Sequence, residues 1–364
     1  MPNINQSAAN YQCPACGGPL HFVGETGKLQ CDYCGSSYDV EQIDSKYGRA
    51  GAGASKKGGA QKAASSSNAT TQEYSNLFEY NCPSCGAQLF CDETTAATSC
   101  PYCGNNQVVH KAFSGGKMPQ KIIPFKLEKQ AAINALKNHY KGKKLLPKVF
   151  REQNHIEEIK GVYVPFWLFD GHVEVVLDMK GTRSTVNYTS KEKIITTGHY
   201  NITRAGTVSF EKISVDASKK MDDALMDSIE PFDYDDLRDF TASYLPGFFA
   251  EVYDVSTEEC YDRARLRAEN TAVDEIRNSV SGYETVSVVN KKVRITNDKV
   301  TYSFMPVWVL STKWRDKNYI FAMNGQTGKM VGDLPVDKGR FCKYLFGITA
   351  IVAAIVTPIV YFFF

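Results

Sequence analysis

The spacing of apolar positions changes character along the chain. In the N-terminal hundred or so residues they are sparse and alternate with cysteine pairs, which predicts short strands joined by turns. Pro119 to Phe125, with Ile122 and Ile123, predicts an entering strand, and Ala131/Ala132, Ile133, Ala135 and Leu136 recur at helical spacing within Glu128 to Tyr140. A second helix is expected over 151–159. Val162-Tyr-Val-Pro165-Phe-Trp167-Leu-Phe then reads as a strand that turns at Asp170-Gly171 into His-Val-Glu-Val-Val-Leu. The same signature returns as Phe304-Met-Pro306-Val-Trp308, with Tyr163/Phe304, Pro165/Pro306 and Trp167/Trp308 in correspondence, which suggests two related β-rich lobes. A proline inside each run points to an edge or a bulge, not a central strand. Between these runs, helices are expected near 222–229 and 233–243. A longer one starts at Ser256, where Glu259 completes a capping box, and continues through Arg263, Arg265, Arg267 and Arg277 to about Val280. Glu259 and Arg263 form a favourable i,i+4 pair, and the arginines read as a solvated face. The last hairpin turns at Asn324-Gly325 or Thr327-Gly328. From Tyr344 to Phe364 the pattern is uniformly apolar, 21 residues without a charge.

That final run is about 31 Å long as a helix, against a hydrocarbon core about 30 Å thick. It has no polar face, so a transmembrane helix over 342–364 is expected. Lys338, Arg340 and Lys343 flank its N-terminal side, which places the bulk of the chain in the cytoplasm and makes the protein a single-pass, tail-anchored component of the cell membrane. Residues 1–12 are polar and lack the apolar stretch of a secretory signal.

The chain has 364 residues, 42 basic and 40 acidic side chains, and 11 cysteines. The near-neutral total hides segregation: residues 104–160 carry twelve Lys/Arg against four Asp/Glu, and residues 214–259 carry three against thirteen. Eight cysteines form two matched sets. Cys13-x2-Cys16 is followed after fourteen residues by Cys31-x2-Cys34, and Cys82-x2-Cys85 after fourteen by Cys100-x2-Cys103. Each ligand of the second set lies 69 residues after its counterpart, as do Tyr11/Tyr80, Pro14/Pro83, Gly17/Gly86, Leu20/Leu89, Tyr33/Tyr102 and Gly35/Gly104. This is a duplication. Two residues between cysteines let one tight turn aim both sulfurs at one ion, and four thiolates close a tetrahedral zinc site with no position left for a catalytic water. Two structural zinc ions are therefore expected, held by Cys13, Cys16, Cys31 and Cys34 and by Cys82, Cys85, Cys100 and Cys103. Iron fits these ligands but is disfavoured by the long central loop. Cys91 and Cys260 read as packing residues, and Cys342 abuts the apolar run, where a thiol can be acylated.

The resulting organisation is ribbon 1 at 1–43, a flexible linker at 44–77, ribbon 2 at 78–112, an α+β body at 113–337 and the membrane helix. The linker is rich in Gly, Ala, Ser and Lys, so the first ribbon is expected to be tethered and mobile. Neither ribbon carries the bases that a phosphate surface needs, which favours protein contact. No P-loop follows any Gly-Lys, and no His-Glu-x-x-His, Gly-x-Ser-x-Gly or Gly-x-Gly-x-x-Gly occurs, so no enzyme is expected. His155 with Glu158, Asp222/Asp223 and Asp235/Asp236 read as surface charge.

Cys-Pro-x-Cys-Gly at 13–17 and 82–86, the intervening linker, the stretch Tyr244-Leu-Pro-Gly-Phe-Phe-Ala-Glu251 and the final span carry a resemblance over the whole layout. The chain resembles a bacterial family of double-zinc-ribbon, membrane-anchored proteins from Gram-positive phage-shock/SPFH membrane-stress gene clusters. Their ribbons are of the TFIIB and primosomal-helicase type. The resemblance implies an adaptor that recruits partner proteins to the membrane in an envelope-stress response. Implied partners are an SPFH-domain protein and a phage-shock-protein-A-like protein, beside the lipid bilayer. Only the eight ribbon cysteines transfer residue by residue. The alternative is a membrane-tethered nucleic-acid binder using the basic 104–160 segment.

Overall fold

The computed structural model describes residues 11–47, 77–92, 99–105, 109–112, 118–190 and 192–363. Residues 48–76, most of the expected linker, lie outside the described residues. The first ribbon is a three-stranded antiparallel sheet of β1 (Leu20–Val23), β2 (Lys28–Cys31) and β3 (Ser37–Asp39), closed by α1 (Val40–Tyr47). The second supplies β4 (Leu77–Asn81), β5 (Gln88–Asp92) and β6 (Val109–Ala112). The body follows as β7 (Lys121–Ile122), α2 (Lys129–Tyr140), α3 (Gln153–Ile156), β8 (Lys160–Tyr188) and β9 (Lys193–Asp216). It continues with α4 (Asp223–Ile229), β10 (Arg238–Asp239), β11 (Phe249–Glu251), α5 (Thr257–Asn278), β12 (Thr285–Trp314), β13 (Lys317–Asn324), β14 (Met330–Gly332) and α6 (Lys338–Phe363). Strands β4 to β14 make one eleven-stranded sheet, so ribbon 2 and body share a backbone hydrogen-bond network.

The centre of that sheet is the antiparallel pair β8 and β12, and the two proline-tryptophan signatures meet there. Phe304 pairs with Pro165 and Pro306 with Tyr163. The expectation that proline excludes a central strand fails for a local reason. On its other side β8 pairs with β11 up to Tyr163 and with β9 from Phe166, so Pro165 lies at the changeover. Pro306 lies at the matching changeover on β12, between β7 (to Phe304) and β13 (from Val307). Neither site asks the missing N–H for a ladder bond. Both carbonyls are used, Ala217 N–H donating to Pro165 and Gly325 N–H to Pro306, at 2.9 and 2.8 Å.

The surroundings repeat as well. Trp167 Nε1 donates to Val255 O and Trp308 Nε1 to Leu127 O, and those two residues lie one before the N-caps of α5 and α2. Their N–H groups donate in turn to Ala217 O and Gly325 O. The two signatures therefore mark a pseudo-twofold arrangement within one sheet. Each half lends a short strand (β7 or β11) to run parallel to the other half's long one.

Asp170-Gly171 is not a turn, because β8 continues through it. Beyond it Val173, Val175, Leu177 and Met179 alternate inward and are covered by Ala268 and Ala272 of α5, which rewards extension. Asp170 instead bonds across the ladder, accepting from Lys212 N–H at 2.7 Å, where β9 bulges and Lys212 takes φ 56. The helix expected over 151–159 is a 3-10 turn at Lys148–Arg151 plus the single turn α3. The one expected over 233–243 is two 3-10 turns flanking β10. The α5 capping box is present, Ser256 and Glu259 bonding each other's backbone.

The arginine face of α5 is only partly solvated. Arg263 contacts Asp216, Asp223 and Asp227 at 2.9–3.0 Å, and Arg267 contacts Asp227 and Glu230. Three acids thus hold Arg263 in place of the expected Glu259, which is occupied by Ser256 N–H and by Lys219. Asp216, Asp223, Asp227 and Glu230 of the acidic 214–259 stretch are in this way offset by the two arginines.

The first ribbon is docked on the body. Leu20, Phe22 and Leu29 share a core with Phe125, Tyr244, Leu245 and Phe248. Phe22 stacks edge-on against Tyr244 at 5.3 Å, and its N–H donates to Pro246 O at 3.2 Å. Ser243 donates to Asp44 of α1. Composition made the ribbon mobile; the apolar Tyr244–Phe249 stretch supplies the surface that holds it.

Candidate metal centres

Four cysteine knuckles repeat one geometry. Gly17, Gly35, Gly86 and Gly104 each donate N–H to the carbonyl of the first cysteine of their pair, at 2.8–2.9 Å, with φ between 69 and 74. A side chain is strained in that left-handed conformation, which is why glycine follows every second cysteine. The turn aims both sulfurs to one side. In ribbon 1 the sulfurs of Cys13 and Cys34, and of Cys16 and Cys31, lie 3.5 Å apart. In ribbon 2 Cys82–Cys103 and Cys85–Cys100 are 3.5 and 3.6 Å. Within each tetrad all four sulfurs fall within 4.8 Å of one another. A tetrahedron with Zn–S bonds of about 2.3 Å has edges of about 3.8 Å, so both sets are suited to one zinc ion each. The thiols of each tetrad share protons unevenly: Cys13, Cys34 and Cys85 are drawn down, whereas hydrogen bonds among neighbouring cysteines and burial push Cys16, Cys100 and Cys103 up. The Tyr38 hydroxyl, 3.5 Å away, draws Cys13 down to about 6, and contact with Cys100 draws Cys85 down to about 5.

The two centres differ in their surroundings. In ribbon 1 Cys16 and Cys34 are exposed, and Tyr33 beside Cys34 is 79% exposed. The corresponding Tyr102 of ribbon 2 is buried, and its hydroxyl donates to Glu251 of β11. Glu251 also accepts from Ser218 at 2.7 Å; burial outweighs both donors and pushes its carboxyl up to about 8. Around the same knuckles Asn318 donates to Tyr102 O at 2.6 Å, Lys160 to Ser99 and Lys220 to Cys85 O at 3.1 Å. Two lysines therefore stand beside a site that carries about two negative charges once a zinc ion is held by four thiolates. These supporting residues have no motif of their own. The one sequence sign was the 69-residue offset of Tyr33 and Tyr102, which marks Tyr102 as part of the repeat but not the residues that meet it.

Cys91 and Cys260 are buried in core clusters, and Cys342 is exposed on α6; none joins a tetrad. His155 contacts Glu158 and Thr312, and Asp222 caps α4.

Comparison with known proteins agrees with this chemistry. The family described as Trm112p-like protein matches residues 12–42, the first ribbon. No solved structure matches the chain. The uncharacterized protein YdjG of Bacillus subtilis (strain 168) is 36% identical over 340 residues, covering 93% of this chain and 94% of YdjG. Identity at that level, over nearly the whole of both lengths, shows kinship of the chains and not of one module alone, and the chain belongs to the YdjG family.

Proposed function

We propose that the chain is a membrane-anchored scaffold, its body held at the cytoplasmic face by α6 and its first ribbon offered to partner proteins. The observation that carries this reading is α6. Its segment Lys338–Thr357 is long and apolar enough to cross a membrane, and none of it is buried against the body. Ile348, Ile351 and Ile355 stand more than half exposed, and an apolar helix without protein cover calls for lipid.

The base of the helix supports the orientation. Asp337 N–H donates to Leu145 O, and Arg340 Nη1 to Leu146 O, so the lysine-rich loop after α2 lies against the helix start. Lys148, Arg340 and Lys343 line a groove of about 410 Å³ beside Trp314. Cations at a span's entrance favour the cytoplasmic side, where thiolate ligands also stay reduced. There each well-placed cation gains about 1 kcal/mol from anionic headgroups. This commits part of the basic segment to lipid and weighs against the nucleic-acid reading.

Partner contact is assigned to ribbon 1 because its Tyr33 face is open where the matching face of ribbon 2 is buried. The resemblance to membrane-stress families extends the reading to an envelope-stress response, with an SPFH-domain protein and a phage-shock-protein-A-like protein as partners. Carbonate washing of native membranes tests the anchor. The protein should remain in the pellet; release into the supernatant would refute the reading.

A further inference from the structure

Strands β9, β8 and β12 extend together beyond the rest of the sheet, and this arm has two open edges that differ. On the β12 side, residues 285–300 carry Lys291, Lys292, Arg294, Asp298 and Lys299, and the ladder to β8 is irregular at Val288/Asn290 and Asn297/Lys299. Charges and bulges of this kind stop an edge from recruiting another strand. Between Lys193 and Glu211 the β9 edge has no bulge and little charge. From Lys193 to Phe210 its register to β8 is unbroken, it holds no proline, and Arg204 is the one charge between Lys193 and Glu211. Ile194, Ile195 and Tyr200 along it are 45, 57 and 44% exposed. Among the described residues no strand other than β8 pairs with β9.

Hairpin closure tells which groups point outward. Thr189 N–H donates to Glu192 O at 2.9 Å, so these two residues form a hydrogen-bonded pair. Such pairs alternate along an antiparallel ladder, which makes Ile194, Thr196 and each following even-numbered residue of β9 bond to β8. The odd-numbered residues from Lys193 to Ser209 hold their N–H and C=O groups outward.

We propose that this edge docks the same edge of a second copy of the chain, antiparallel across a twofold axis. In such a ladder outward-bonding residues must oppose one another, so paired residue numbers sum to an even value. Among those registers, the one centred on Ile202 sets Lys193 opposite Glu211 of the second copy and Arg204 opposite its Tyr200, each twice by symmetry. Arg204 and Tyr200 then form a non-hydrogen-bonded pair, where side chains stand closest and a guanidinium can lie on a ring. The bulge at Lys212 ends the flat stretch and with it the ladder.

The test sizes the full chain in mild nonionic detergent by light scattering at micromolar concentration. The unmodified chain should contain two copies per particle. Asn201→Pro deletes one outward N–H and leaves the β8 ladder whole, so it should give monomers with unchanged zinc content and circular dichroism. Lys193→Glu should weaken assembly by about tenfold at low salt through like-charge pairs, and adding Glu211→Lys should restore it. A monomeric unmodified chain overturns the proposal. So does a folded Asn201→Pro chain that stays dimeric, the result expected if α6 alone mediates association. If Asn201→Pro does not fold, the charge exchange decides: without restoration in the double variant, the edge pairing is wrong.

Discussion

Tyr33 and Tyr102 hold the same place in two copies of one ribbon, yet one faces solvent and the other donates to the buried carboxyl of Glu251. A duplicated side chain has thus been put to two uses, and the difference lies in what surrounds it. Burial raises the Glu251 carboxyl to about 8, from about 4.3 in an unfolded chain. Between those values the folded protein binds the proton more tightly than the unfolded one, so stability present at low pH is lost as pH rises through about 8. Urea unfolding midpoints should fall from pH 5 to pH 8.5, and Glu251→Gln should flatten that slope. An unchanged slope in the variant would assign the dependence elsewhere. The eight ligands were legible from spacing alone because a cysteine knuckle is a local device. Glu251, Lys160 and Lys220 were not, since each reaches its ribbon across a long stretch of sequence.

Among the elements, α5 was the most legible. Ser256 and Glu259 fix its start within one turn, and that signal needs no tertiary context. Ala264, Ala268 and Ala272 face inward at four-residue spacing and let the helix lie close over β8. Ala268→Leu should overpack this contact and cost roughly 1–3 kcal/mol in equilibrium denaturation; a change below about 0.5 kcal/mol would mean that the helix is loosely seated. The long strands were harder to read. Asp170-Gly171 has turn chemistry, and nothing local reveals that Asp170 spends it on Lys212 across the ladder. Pro165 and Pro306 are tolerated centrally only because their neighbouring strands change at those points, a fact of sheet order.

For the whole molecule, the duplication yields one centre built into the main sheet and one docked upon it. β5 pairs with β11 through Phe90–Ala250 and Leu89–Glu251, so metal at the second ribbon supports the body directly. Cys85→Ser should lower the thermal midpoint of the main transition by several degrees and leave about one zinc ion per chain. Cys16→Ser should also leave about one, with the main transition close to its original temperature. Equal losses in the two variants would contradict this division of roles. Docking of ribbon 1 was hidden from composition because the polar linker says nothing about the apolar Tyr244–Phe249 surface that receives it.

The central claim is that the docked ribbon recruits proteins at the membrane, and the direct test is affinity capture from native membranes in mild detergent, with nuclease treatment. The chain should retain nuclease-resistant protein partners, and Tyr33→Ala should lose them while keeping two zinc ions. Recovery of mainly nuclease-sensitive RNA or DNA, indifferent to Tyr33, would contradict the account.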